Sequence, residues 1–234
     1  PETHELYVLD RRDGAAPVGL DLSTRRIRAH AEQLHGRPAV VFATEPMDAD
    51  PCWRLIAPGE LVHVDVKKIG KIPAGGGWWA HGRGTDLHRA SKRQGEGTGR
   101  IGYTYLHTAI DDHSRLAYTE CLEDEKGTTA ADFWLRAVTF FAEHGIEHIE
   151  RCLTDNGSCY RSRAWAAALE ATGTTHKRTR PYTPRTNGKV ERFNGTLARE
   201  WAYVREYDSE AARRLALVDF LNHYNHRRPH AARG

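Results

Sequence analysis

Three acidic residues of this chain have the type and setting to do chemistry together. Asp65 lies in Leu61-Val-His-Val-Asp-Val66, Asp155 in Leu153-Thr-Asp-Asn-Gly-Ser158, and Glu191 in Asn187-Gly-Lys-Val-Glu-Arg-Phe-Asn194. Each falls at the edge of an expected strand or in the first turn of an expected helix, so separate elements could aim them into one pocket. A lone Asp at a strand end is usually a cap or an ion-pair partner; three together point to a divalent cation. Mg²⁺ takes oxygen ligands, usually a few carboxylates with waters and substrate phosphate oxygens. A pair of such ions about 4 Å apart supports in-line phosphodiester displacement with no covalent enzyme intermediate. Asp65, Asp155 and Glu191 are therefore the catalytic and metal-binding candidates.

These carboxylates need a scaffold, and the periodicity supplies one. Residues 61–66 alternate in period two, which reads as a strand. Residues 103–110 and 116–121 are two β-rich runs joined by Asp111-Asp-His-Ser114, which is hairpin chemistry. Residues 128–144 carry a helical apolar stripe that Gly145 ends. A fourth strand over 149–154 leads into Asp155, Ser162 caps a short helix to about Ala171, and 174–178 is a fifth strand beside the fourth. Prolines keep 180–188 out of a helix. A helix restarts near Gly188 with Val190, Phe193, Leu197 and Trp201 as its packed stripe, and Ser209 caps a last one. The order is α/β with a mixed five-stranded sheet flanked by helices.

Charge is segregated along the chain. The net charge is +3, but residues 1–66 carry −4, 67–100 carry +6, 101–175 carry −6 and 176–205 carry +6. Both basic blocks adjoin a candidate carboxylate, which favours the footprint of a phosphate-polymer partner such as nucleic acid over the alternative of plain solvated surface. The candidate DNA contacts are Lys67, Lys68, Lys177, Arg178, Arg185, Lys189, Arg192 and Arg199. On the last of the expected catalytic elements, Asn194, Gly195 and Ala198 share the face of Glu191, while Lys189, Arg192 and Arg199 form an adjacent basic stripe.

Other residues carry two readings each. His63, on the strand face of Asp65, either supports that carboxylate or packs in the core. Asn156 either positions substrate or water or belongs to an Asp-Asn-Gly turn. Asp111 and Asp112 fit a turn better than a metal. Trp78 and Trp79 follow three glycines in a basic stretch, where they would stack on splayed bases or pack the core edge. Cys52, Cys121, Cys152 and Cys159 show no zinc or disulfide spacing and read as reduced packing residues. No apolar run approaches a membrane span and no signal peptide opens the chain, giving a cytoplasmic expectation and no membrane partner.

In combination, His63-Val-Asp-Val-Lys-Lys68, Thr108-Ala-Ile-Asp-Asp-His-Ser-Arg115, Leu153-Thr-Asp-Asn-Gly-Ser158, the run from His176 to Asn194 and Tyr224-Asn-His-Arg-Arg-Pro-His230 resemble the DDE transposases of bacterial insertion sequences. Those proteins share an integrase catalytic core with retroviral integrases. The resemblance covers about residues 59–231. It implies a ribonuclease H-like fold, Asp65, Asp155 and Glu191 as the triad, and Mg²⁺ or Mn²⁺, two ions, as cofactor. It also implies the partners and the setting: DNA, both the terminal inverted repeats of a mobile element and target DNA, acted on at the nucleoid by a homo-oligomer. Tyr224, Arg228 and Pro229 match a tail motif expected to dock structurally.

Residues 1–58 depart from that pattern. Five prolines interrupt them, residues 24–34 offer one plausible helix, and no helix-turn-helix pattern is present. His30 and His35 lack the Cys-x-x-Cys of a retroviral zinc module. The expectation is an unassigned N-terminal segment ahead of a catalytic core at 59–231, in a truncated or frame-disrupted copy. Three functions compete: a transposase that cuts element ends and transfers strands, a non-catalytic DNA-binding remnant or repressor, and a stand-alone nuclease.

Overall fold

In chain order the strands are β1 (Tyr7–Arg11), β2 (Leu20–Ser23), β3 (Arg28–Ala31), β4 (Ala39–Ala43), β5 (Arg54–Leu55), β6 (Val62–Gly70), β7 (Tyr103–Asp111), β8 (Ala117–Leu122), β9 (Arg151–Thr154) and β10 (Thr175–Arg178). The helices are α1 (Trp78–His81), α2 (Asp86–Lys92), α3 (Gly127–Glu143), α4 (Arg163–Ala171), α5 (Gly188–Leu197) and α6 (Glu210–His226). The structure, a computed structural model, describes residues 53–92, 101–179 and 187–228 together with strands β1 to β4.

Five strands form the sheet that carries Asp65 and leads into Asp155, in the order β10-β9-β6-β7-β8. The meander β6-β7-β8 is antiparallel, whereas β9 and β10 run parallel to β6 after helical crossovers. This is the ribonuclease H-like order. The parallel register pairs Val62 with Cys152 and His63 with Leu153, so Asp65 and Asp155 each follow the last paired residue of their segment by two positions.

Helices cover both sheet faces. On one side Val62, Val64 and Ala109 pack with Phe133, Trp134, Phe141 and Trp165 of α3 and α4. On the other Ile69, Leu106 and Ile110 pack with Val190, Phe193, Leu197, Trp201, Leu217 and Tyr224. Strand β6 is therefore buried on both faces from Val62 to Val64, although its sequence alternates. Each large apolar side chain buried in these layers contributes roughly 1.5–3 kcal/mol.

Local chemistry sets the element ends. Ser162 caps α4 by accepting from the Trp165 N–H at 3.1 Å, and Ser209 caps α6 by accepting from Ala212 at 3.2 Å. Gly127 opens α3 against the first of these caps; a Cβ there would lie 2.3 Å from Ser162 Oγ. After α5 the chain widens into a π-helical turn over Ala198–Ala202, which seats Trp201 so that its indole N–H donates to the Arg213 carbonyl at 2.8 Å.

Three expectations change. Residues 28–31 are strand, paired antiparallel with 20–23, so the helix expected over 24–34 does not form. Leu20-Asp-Leu-Ser23 alternates in period two, and pairing with it overrides the helical propensity of Arg28-Ala-His-Ala31. Strand β6 runs on to Gly70 beyond the alternating stretch, because β7 offers partners as far as Tyr103. The glycine-rich insertion between β6 and β7 contains the short helices α1 and α2.

Among the described residues no helix is long and apolar enough to cross a membrane. Cys121, Cys152 and Cys159 are free thiols, as expected, while Cys52 lies outside the described residues.

Candidate active site

Asp65 sits midway along β6, opposite Thr108 of β7. Asp155 follows the last residue of β9, and Glu191 lies in the first turn of α5. Asp65 is partly buried, whereas Asp155 and Glu191 are exposed. The Asp65 carboxyl is pushed up to about 6 by burial and by the negative charges of Asp155 and Glu191; a backbone hydrogen bond at Val66 and the nearby Lys67 oppose the shift. Asp65 thus feels the charges of two acids from two other elements.

Each carboxylate oxygen that is held is held by a neutral donor. Asn194 Nδ2 donates to Asp65 Oδ2 at 2.8 Å, and Gly157 N donates to Asp155 Oδ1 at 2.8 Å. Thr154 Oγ1 donates to the Asp155 carbonyl at 2.8 Å and also meets His176 Nε2 at 2.9 Å. Burial and Arg178 push that imidazole down to about 4, so it is neutral beside the strand end. Among the described residues, no three His, Cys, Asp or Glu side chains are drawn together into a ready-made metal cage. The set still fits a hard divalent cation in donor type and in charge, since all three side chains offer carboxylate oxygens and the charges of Asp155 and Glu191 add to burial in raising Asp65.

The expected supporting residues resolve into definite contacts. His63 is buried at 2% exposure, with Nε2 2.8 Å from Asp112 Oδ1 and Nδ1 3.2 Å from Asn187 Oδ1. It is hydrogen-bonded rather than a simple packing residue. Asp111 fits the turn reading: its carboxylate accepts from Gly59 N, Ser114 N and Ser114 Oγ at 2.8, 2.6 and 2.7 Å. Asp112 departs from it, because its side chain bonds His63 of β6, with Arg115 at 3.5 Å and Lys189 at 3.9 Å. Burial raises the Asp112 carboxyl, but the His63 hydrogen bond and the cations around it hold it below its ordinary value. Asn156 donates to the Thr179 carbonyl at 2.8 Å, tying the loop after β9 to the end of β10.

The basic candidates differ in exposure and in whether they are already paired. Lys67, Lys177, Arg178, Arg192 and Arg199 are exposed, while Lys189 is partly buried near Asp112. Lys68 pairs with Glu125 at 2.5 Å and lies over the Tyr105 ring. Arg185 lies outside the described residues. Trp78 is exposed under the Arg83 guanidinium, whose carbon is 4.2 Å from the ring centroid; the Trp79 side chain lies outside the described residues. Tyr224 packs edge-on against Phe193, and Asn225 bonds both backbone groups of Ala117 at 2.9 Å, so the tail motif does dock α6 on the sheet. Pro229 lies outside the described residues.

Sequence reasoning did not single out Asn187, His176 or the bond from Asn194 to Asp65. Only Asn194 carried a signal, its place three residues after Glu191 on one helix face.

Comparison with known proteins agrees with this architecture. The chain is 31% identical over 123 residues to a 39.2 kDa protein of insertion element IS476 from Xanthomonas euvesicatoria, covering 46% of this chain and 36% of that protein. It is 33% identical over 82 residues to transposase InsD of insertion element IS2 from Escherichia coli, covering 35% of this chain and 27% of InsD. It therefore spans only about a third of the length of these relatives. Among solved structures, a chain of the simian T-cell lymphotropic virus intasome, in complex with PP2A regulatory subunit B56 gamma, matches at TM-score 0.50 and 20% identity. That match covers 73% of this chain and 50% of the other, and speaks to the fold. Models of the integrase core domain match residues 57–184 and, in a second form, 172–234. With the first match spanning more than half of its length, the chain belongs to the integrase core domain family.

Proposed function

We propose that this chain is the catalytic part of a transposase that cleaves DNA at the ends of a mobile element and transfers the freed strand into target DNA. The observation that carries the reading is the setting of Asp65, a partly buried strand carboxylate bonded at 2.8 Å by Asn194 of the Glu191 helix, its carboxyl pushed up to about 6 by burial and then by the charges of Asp155 and Glu191. Uncompensated negative charge at the convergence of three elements invites a divalent cation and, through it, phosphate. Family membership and similarity to InsD support the same reaction class.

In this reading residues 59–231 form the catalytic core and residues 1–58 a separate segment. Asp65, Asp155 and Glu191 hold two Mg²⁺ or Mn²⁺ ions. When bound, these supply an activated attacking oxygen and charge stabilisation at the leaving oxygen. The chain's own contribution is placement. Asn194 orients Asp65, and the Gly157 N–H orients Asp155. Lys67, Lys177, Arg178, Arg192 and Arg199, with Lys68, Arg185 and Lys189, receive the DNA backbone. His63 and Asn156 support the two strand ends. The working form is a homo-oligomer acting on chromosomal DNA in the bacterial cytoplasm.

The test is incubation of the protein with a duplex carrying the element's inverted repeat, with Mg²⁺ or Mn²⁺, and analysis of both strands. Cleavage at the element end followed by joining, abolished by Asp155→Asn, is the expected result. Binding with no metal-dependent chemistry would make the chain a DNA-binding remnant or repressor. Nicking without end preference would make it a nuclease.

A further inference from the structure

Three buried polar side chains from three separate elements meet beside the carboxylates. His63 comes from β6, Asp112 from the hairpin after β7, and Asn187 from the residue that precedes α5. They are 2%, 1% and 3% exposed, so their mutual bonds are made out of water, where a lost partner is costly. His63 bridges the other two, at 2.8 Å to Asp112 and 3.2 Å to Asn187.

Asn187 is the informative member. Asparagine before a helix ordinarily turns its side chain to cap the first-turn N–H groups. Asn187 occupies the cap position of α5 yet makes no such bond, and its amide faces His63 instead. That choice forgoes the first-turn cap. What it gains is a fixed link between the start of α5 and β6. Two residues beyond His63 on the strand is Asp65, and four beyond Asn187 on the helix is Glu191.

We propose that His63, Asp112 and Asn187 form a positioning latch that sets where the first turn of α5, and so Glu191, stands relative to Asp65. Asp112 anchors the latch: Arg115 and Lys189 lie 3.5 and 3.9 Å from it and balance its charge, which keeps a buried acceptor facing His63. None of the three touches the reacting atoms. They act through the two carboxylates, and the proposal rests on the reading of Asp65, Asp155 and Glu191 as the metal-binding set.

The experiment uses the full chain with Mn²⁺ alone as the probe, following binding by calorimetry and amide hydrogen exchange by mass spectrometry. His63→Ala is expected to weaken Mn²⁺ binding about tenfold, the scale of one lost supporting contact. It should also speed exchange across 188–192 about tenfold, with α3 unchanged. His63→Gln, which keeps a two-ended polar side chain, should recover most of both. Asn187→Ala should reproduce both effects in a milder form and serves if His63→Ala does not fold. Ser114→Ala, which perturbs the neighbouring Asp111 turn, should move neither. Wild-type exchange at 188–192 in His63→Ala and Asn187→Ala would overturn the latch. So would an equal change in Ser114→Ala. Mn²⁺ binding that survives Asp155→Asn would instead overturn the carboxylate reading, and exchange at 188–192 would still decide the latch.

Discussion

Asn194 Nδ2 reaches Asp65 Oδ2 at 2.8 Å, joining α5 to the central strand across 129 residues of sequence. The side chain is buried, and its amide is the donor that the partly buried Asp65 carboxylate uses. A hydrogen bond to a charged group contributes roughly 1.5–3 kcal/mol. Asn194→Ala should therefore lower the strand-cleavage rate by about tenfold or more, with DNA affinity unchanged. Single-turnover cleavage set beside a binding isotherm checks both halves.

Metal-free stability should depend on pH with an unusual sign. The folded Asp65 carboxyl, at about 6, lies above the ordinary value of 3.8. The folded state therefore holds that proton more tightly. Stability falls as pH rises from about 4 to about 6, with the full penalty, at most about 3 kcal/mol, present above 6. Asp65→Asn should raise the metal-free Tm at pH 7 by several degrees. Added Mn²⁺ should raise the Tm of the wild-type chain but not that of the variant. A thermal scan at pH 5 and pH 7 gives the comparison.

The two neighbours of Asp65 should be separable. Asp155 pushes its carboxyl up more than Glu191 does. Asp155→Asn should accordingly bring the Asp65 titration down further than Glu191→Gln, while both abolish metal-dependent cleavage. Carbon-detected NMR titration of the Asp65 side chain orders the two.

Gly157 is expected to act on Asp155 by contact. Its φ is ordinary, but a Cβ added there would lie 2.9 Å from Asp155 Oδ1. The carboxylate would have to swing away. Gly157→Ala should cost less than about 1 kcal/mol of stability, as for a substitution without backbone strain, yet lower cleavage clearly. Denaturant unfolding and cleavage rates measured on the same preparation distinguish the two effects.

Two adjacent aspartates should fail differently. Asp111 is fully buried and satisfies three donors, two on Ser114 in the hairpin turn and the Gly59 N–H ahead of β6. Asp111→Ala should cost about 3 kcal/mol or more by leaving them unmet. Asp112→Ala should add a loss of Mn²⁺ affinity on top of any loss of stability. Calorimetric Mn²⁺ titration of the two variants makes the distinction.

The sheet was legible because its signals are local. Alternation at 61–66 marks the strand that carries Asp65, although that strand runs on to Gly70, the Asp-Asn-Gly after β9 marks where Asp155 emerges, and Ser162 and Ser209 announce their helices one residue ahead. What escaped detection lies in contacts between distant residues. Asp111 and Asp112 are identical neighbours, and only the direction each side chain takes separates a turn from a buried bridge to His63. Asn187 reads as an ordinary cap until the histidine 124 positions earlier is seen to hold its amide. The strand at 28–31 was missed for a related reason, since its partner at 20–23, rather than its own propensity, decides its conformation. The eight basic candidates were found by composition, which locates charge along the chain but not which cations are already engaged, as Lys68 is by Glu125.

Strand β10 ends the sheet with only four residues, of which Thr175, Lys177 and Arg178 are exposed. An open strand edge is a template on which another chain can add a strand. Here it is short, and two cations stand on it. Whatever they contact, those charges make strand addition at this margin electrostatically costly for an identical chain. Copies of this protein should therefore associate through helical or loop surfaces in preference to a sheet continued past β10, and a concentrated refolding mixture should be protected at this edge from fibrillar pairing.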